Sequence, residues 1–182
     1  MKKMSAFKDK VLLITGGTGS FGNAVLRRFL DSDIKEVRIF SRDEKKQDDM
    51  RHLFQNPKVK FYIGNVRDKQ SVDIAMNGVD YVFSAAALKQ VPSCEFFPIE
   101  AVQTNIIGTN NVLISAIEHG VSKVVVLSTD KAAYPINAMG MSKALSSRFP
   151  LFLHTWSILY PLRNKQIATV LCCLTNWGPV RI

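Results

Sequence analysis

After Asp130 the sequence holds no acidic residue: its fifteen carboxylates all lie at or before that position, while 146–182 carries three arginines and one lysine with nothing to balance them. Part of the net charge of +9 therefore belongs to that end. No basic run interleaved with aromatics occurs, which argues against nucleic acid, and the lysine surplus reads as a solvated face compatible with small anions such as nucleotides. Cysteine is scarce too. Cys94 and the adjacent Cys172 and Cys173 offer neither a paired disulfide framework nor zinc-site spacing, so buried thiols and no metal are expected. Long apolar runs are also missing. Val11 to Ile14 is cut short by glycines, and Phe149 to Leu162 is broken by Pro150, His154 and Pro161. Neither forms a signal-peptide core or reaches the about 20 residues of a membrane span, so no membrane partner and a cytoplasmic location are expected.

What is present is an alternation. The runs Val11–Thr15, Val37–Phe40, Lys60–Ile63, Tyr81–Ser84 and Val124–Leu127 have the length and the β-branched or aromatic content of buried strands. Between them Phe21–Leu30, Asp43–Phe54, Ser71–Met76 and Ile99–His119 read as helices, several stopped by Gly or Asn. Strand and helix in regular succession imply an α/β fold with a doubly wound, five-stranded parallel sheet covered on both faces. Beyond Leu145 the pattern degrades, as Ser146, Ser147 and Pro150 interrupt the helix begun before them. The expected division is a domain over 1–145 and an aberrant or truncated tail over 146–182.

The motif TGGTGSFG, Thr15 to Gly22, lies between the first strand and the first helix. Glycine triplets mark many turns, but in this context Gly16 suits a sharp bend, Gly19 a close approach to a pyrophosphate, and Gly22 tight packing of helix on sheet. With Thr18, Ser20 and Phe21 they form a phosphate-binding turn of Rossmann type, at the positive end of a helix. The second strand ends in Phe40, Ser41, Arg42 and Asp43. A site for NAD puts an acid at that tip; a hydroxyl and a guanidinium there suit the 2′-phosphate of NADP, although Asp43 stands one position later. Asn65 and Val66 follow the third strand and Ala85, Ala86 and Ala87 the fourth, small residues that leave room for a cofactor or simply pack strand ends. Ser128, Thr129, Asp130 and Lys131 sit at the tip of the fifth strand, where open α/β sheets bind ligands, and offer a hydroxyl, an acid and an amine. Lys143 follows Met139 by four residues, on one helical face.

Taken together, TGGTGSFG, SRDE, AAALKQVP, TNIIGTNNV and STDKAAYPINAMGMSKA resemble the extended short-chain dehydrogenase/reductases that act on UDP-sugars, specifically the UDP-N-acetylglucosamine 4,6-dehydratases of bacterial surface-polysaccharide synthesis. The resemblance covers about 7 to 145. It implies NADP held by the glycine turn, Ser41 and Arg42, with Lys89 and Thr104 lining the site, and a homo-oligomer in the intact family. It places Thr129, Asp130, Lys131, Met139 and Lys143 in catalytic positions. The implied lyase moves hydride from C4 of the sugar, lets Lys131 take the C5 proton while Asp130 protonates the departing C6 hydroxyl, and returns hydride to C6; Lys143 binds the nicotinamide ribose.

Two departures matter. The wider superfamily has a tyrosine four residues before the lysine, and here that residue is Met139, as in the capsule-related branch of the dehydratases that also inverts C5. The family also continues past Lys143 with further strands and a sugar-binding subdomain; Ala168 to Gly178 only faintly resembles its sixth strand. Poor turnover of UDP-sugar alongside NADP binding is the resulting expectation. The alternatives are a UDP-hexose 4-epimerase, which needs only reversible hydride transfer, or a non-catalytic NADP-binding fragment.

Overall fold

The computed structural model describes residues 6–149 and 167–173. Six strands form one parallel sheet: β1 (Val11–Thr15), β2 (Glu36–Ser41), β3 (Val59–Ile63), β4 (Tyr81–Ser84), β5 (Lys123–Thr129) and β6 (Ile167–Cys173), in the spatial order β3-β2-β1-β4-β5-β6. The helices are α1 (Ser20–Leu30), α2 (Glu44–Phe54), α3 (Lys69–Met76), α4 (Val91–Phe96), α5 (Pro98–Ala101), α6 (Gly108–Glu118) and α7 (Ala138–Ser146).

Period-two alternation along β1 builds both layers of the core. Val11 and Leu13 join Val72, Met76, Val112 and Leu113 of α3 and α6 on one face, while Leu12 and Ile14 join Leu26 and Met50 of α1 and α2 on the other. All five β1 residues are buried, which only a sheet covered on both sides allows. Asp43 and Asp68 serve as N-caps of α2 and α3, accepting backbone N–H bonds from Lys46 and from Gln70 and Ser71. That is why the helices start at Glu44 and Lys69 instead of Asp43 and Ser71.

Two expectations need correction. The helix expected over Ile99–His119 is not one α-helix: α5 passes into a π-helical turn at Val102–Ile107 before α6 begins. The wider turn buries the consecutive residues Thr104 and Asn105 together, an arrangement frequent at functional sites and without a sequence signature of its own. The second correction concerns strand number. Ile167–Cys173, from the segment set apart as a tail, pairs with β5 along its whole length, from Lys123↔Ile167 to Thr129↔Cys173. The apolar, partly β-branched run of β6 supplies a strand for the unpaired backbone groups that β5 presents on its outer side.

Candidate functional site

The strand order reverses between β1 and β4, so the helices after them leave on opposite faces and a crevice opens at the carboxyl ends of the strands. That crevice has a volume of about 830 Å³. Its floor is the glycine turn. Gly16 takes a left-handed φ of +65°, and a Cβ there would lie 2.8 Å from the Ala86 backbone. Gly22 packs still closer, its would-be Cβ 2.5 Å from Gly17 backbone atoms, whereas one on Gly19 meets only the Gly16 carbonyl at 3.3 Å. Gly19 is also the N-cap of α1 and has no side chain to cap it, nor does the first turn carry an acid. The N–H groups at Ser20, Phe21 and Gly22 thus face the crevice uncapped, a cradle that fits a pyrophosphate.

At the β2 side, Thr18 Oγ1 and Ser41 Oγ are 2.9 Å apart, and Ser41 Oγ accepts the Asp43 N–H at 3.2 Å. Asp43 is already occupied. It accepts the Lys46 N–H at 3.0 Å and pairs with the Lys46 ammonium at 3.0 Å, and the Lys46 backbone bond leads the effects holding its carboxyl below the usual range. Arg42 and Lys46 both line the crevice. Lys46 escaped the sequence reading, although its place in the first turn of a helix capped by Asp43 is the signal that finds it.

Asn65, Val66 and Thr104 line a smaller cavity of about 130 Å³ that shares Gly16, Ser41, Arg42, Ala86 and Ala87 with the main crevice. Ala85 and Ala86 are held against β1, donating to Thr15 O at 3.1 Å and Thr15 Oγ1 at 3.3 Å. Asn105, one residue beyond Thr104, fixes the opposite end: it accepts from the Leu88 N–H at 2.9 Å and donates to the Leu88 carbonyl at 3.0 Å and to Ser142 Oγ of α7 at 2.9 Å.

At that end Lys89, Ala85, Ala87, Thr129, Lys131, Met139 and Lys143 line the wall. Met139 and Lys143 face the same crevice, as their spacing on α7 requires. Met139 is buried against Cys94 and Ala101. Lys143 is only 7% exposed, and its ammonium donates to the Leu127 carbonyl at 2.6 Å. Burial lowers its pKa from 10.5 to about 8. Asp130 stands apart: its side chain is 62% exposed and is not in the crevice wall. Thr129 Oγ1 donates to it at 2.7 Å, the main reason its pKa lies below the ordinary value. Lys131 Nζ is 3.8 Å from the same carboxylate.

A parallel sheet with this strand order, a glycine turn under an uncapped helix and a crevice at the switch point define a Rossmann-type domain. The chain belongs to the polysaccharide biosynthesis protein family, whose model matches residues 12–157. It is 62% and 61% identical over 178 residues to proteins named UDP-glucose 4-epimerase from Rickettsia akari (strain Hartford) and Rickettsia felis (strain ATCC VR-1525 / URRWXCal2), covering 96% of this chain and 50% of each relative. The chain thus spans about half the length of the curated relatives it matches. Among solved structures it superposes on Pen from Bacillus thuringiensis with a TM-score of 0.87 at 38% identity, covering 92% of this chain and 51% of that one. It also superposes on DesIV, a dTDP-glucose 4,6-dehydratase from Streptomyces venezuelae with NAD and TYD bound, with a TM-score of 0.75 at 25% identity, covering 93% of this chain and 57% of that one. No helix among the described residues is long and apolar enough to cross a membrane.

Proposed function

We propose that the chain binds NADP and performs the step common to nucleotide-sugar 4-epimerases and 4,6-dehydratases, reversible removal of hydride from C4 of a UDP-hexose, with 4-epimerisation as the overall reaction. When bound, the nicotinamide supplies the hydride acceptor. The chain's own residues do the rest. The uncapped start of α1 holds the pyrophosphate, Arg42 and Lys46 neutralise the 2′-phosphate, and the buried Lys143 ammonium, anchored on Leu127, has donors left for the nicotinamide ribose. Met139 cannot accept a proton at neutral pH, so the proton of the C4 hydroxyl passes to a water or to the uncharged form of Lys131, which stands in the crevice wall.

The state of Asp130 carries the choice of epimerase. A dehydratase must protonate a departing hydroxyl, which calls for an acid with a raised pKa. Asp130 is exposed and its pKa is lowered, so it stays a carboxylate, and the epimerase names of the Rickettsia relatives agree. The 4,6-dehydratase for UDP-N-acetylglucosamine, with Asp130 and Lys131 as acid and base, remains the second reading, favoured by their juxtaposition at 3.8 Å on the tip of β5 and by the likeness to DesIV. Incubation with NADP and UDP-glucose or UDP-N-acetylglucosamine in D₂O separates the two. Epimerisation yields the C4 epimer without deuterium; dehydration yields a 4-keto-6-deoxy sugar with deuterium at C5, and that product overturns the epimerase.

Cofactor preference has its own test. NADP is expected to bind more tightly than NAD, and Arg42→Ala and Lys46→Ala are each expected to narrow the gap by roughly tenfold, the size of a lost charge-assisted hydrogen bond. Calorimetric titration with both cofactors measures it, and equal affinities in the parent chain overturn the NADP assignment.

A further inference from the structure

The small cavity beside Ala86 and Ala87 is where the base of the dinucleotide would rest, and one of its polar walls has an unusual constraint. Thr104 is only 5% exposed, and its hydroxyl oxygen receives two hydrogen bonds from Arg67, from Nε at 2.9 Å and from Nη2 at 2.7 Å. Arg67 is itself fastened: Nη2 also donates to the Glu100 carbonyl at 3.3 Å and Nη1 pairs with the Glu100 carboxylate. A threonine in a helix commonly turns its proton back onto a carbonyl one turn earlier. Here no hydrogen bond donated by the Thr104 hydroxyl is found among the described residues, and Thr104, in the π-helical turn, lines the cavity. Since a hydroxyl has one proton and two lone pairs, an oxygen that accepts twice has only the proton left to offer.

We infer that Arg67 is a positioning residue that makes Thr104 an obligate hydrogen-bond donor at the base end of the crevice, so that this end selects a heterocycle presenting a ring-nitrogen acceptor to it. The inference rests on reading the crevice as a dinucleotide site and adds to it a base-recognising pair that the phosphate-binding turn does not supply. Arg67 acts through Thr104 and does not touch the ligand.

The test is titration of the full chain with NADP and with adenosine 2′,5′-bisphosphate, which carries the base and the 2′-phosphate but no nicotinamide. Thr104→Val keeps the shape and removes the proton; it is expected to weaken both ligands about tenfold, and Thr104→Ser, which restores the hydroxyl, to stay within about twofold of the parent. Arg67→Met frees the Thr104 oxygen and is expected to weaken both by about threefold. In the Thr104→Val background the same Arg67→Met change is expected to have no further effect, because the two residues act as one unit. Thermal unfolding of each variant identifies any that fail to fold, and the Ser variant and the double mutant then decide. Thr104→Val binding both ligands as the parent does, or an Arg67→Met loss undiminished beside Thr104→Val, overturns the inference. A parent chain that binds neither ligand overturns the cofactor reading itself, and this inference with it.

Discussion

Gly19→Ala is expected to leave stability almost unchanged and to weaken NADP binding by about 100-fold, whereas Gly22→Ala is expected to damage both. The difference lies in what each new methyl group meets. At Gly19 the backbone has φ −76°, which alanine adopts freely, and the only neighbour is the Gly16 carbonyl at 3.3 Å. The methyl group instead occupies crevice space where a pyrophosphate must come within hydrogen-bond distance of backbone N–H groups. Losing two charge-assisted bonds costs about 3 kcal/mol or more, which is the 100-fold. At Gly22 the methyl group would sit 2.5 Å from Gly17 backbone atoms, so α1 must move off the turn. Such overpacking costs about 1–3 kcal/mol, a fall of roughly 2–12 °C in Tm for a chain of this size. Thermal melts and NADP titrations of both variants measure the separation; equal damage from the two overturns this account of the turn.

Lys143→Met is expected to abolish turnover and yet stabilise the cofactor-free chain. An amine whose pKa falls from 10.5 to about 8 on folding opposes folding whenever the unfolded chain is protonated. At pH 7 that penalty is about 3 kcal/mol, and the lost hydrogen bond to Leu127 offsets about 1 kcal/mol of it. The variant should therefore gain about 2 kcal/mol in urea unfolding at pH 7. The sign of the pH dependence follows from proton binding. Between pH 8 and 10.5 the unfolded parent still holds a proton that the folded parent has released, so parent stability rises with pH there and the advantage of methionine shrinks; at pH 9.5 the penalty is about 1.4 kcal/mol. A variant less stable than the parent at pH 7 contradicts the view that burying this ammonium destabilises the folded chain. Loss of turnover follows separately, since methionine has no donor to offer a ribose hydroxyl.

Much of the fold is legible from residue order. β1 and β4 fall at the expected residues because a short apolar run bounded by turn residues has one good solution in a covered sheet. Helix starts differ by two residues or fewer, as at Asp43, since an N-cap belongs half to the loop before it. The site was partly legible for the same reason. Gly16, Gly19, Gly22, Ser41, Arg42 and Ala85 to Ala87 all follow strands directly, so placing the strands places them at one edge of the sheet. Lys46, Leu127, Arg67 and Asn105 were missed, because their importance comes from partners far away in the chain or from a side chain already engaged.

Chain order by itself determined the α/β class, the parallel sheet, the phosphate-binding turn and the hydroxyl and guanidinium at the end of β2, because each depends on periodicity or on residues adjacent in sequence. Tertiary structure alone decided that β6 extends the sheet beside β5, that a π-helical turn breaks the helix over 102–107, that Asp43 is spent on Lys46, that Asp130 stays an exposed carboxylate and that Lys143 is driven toward neutrality. Burial, desolvation and hydrogen-bond partners are set by segments that meet only on folding: Lys143 owes its depressed pKa to burial beside β5, whose Leu127 carbonyl it reaches, and Thr104 its donor character to an arginine 37 residues earlier.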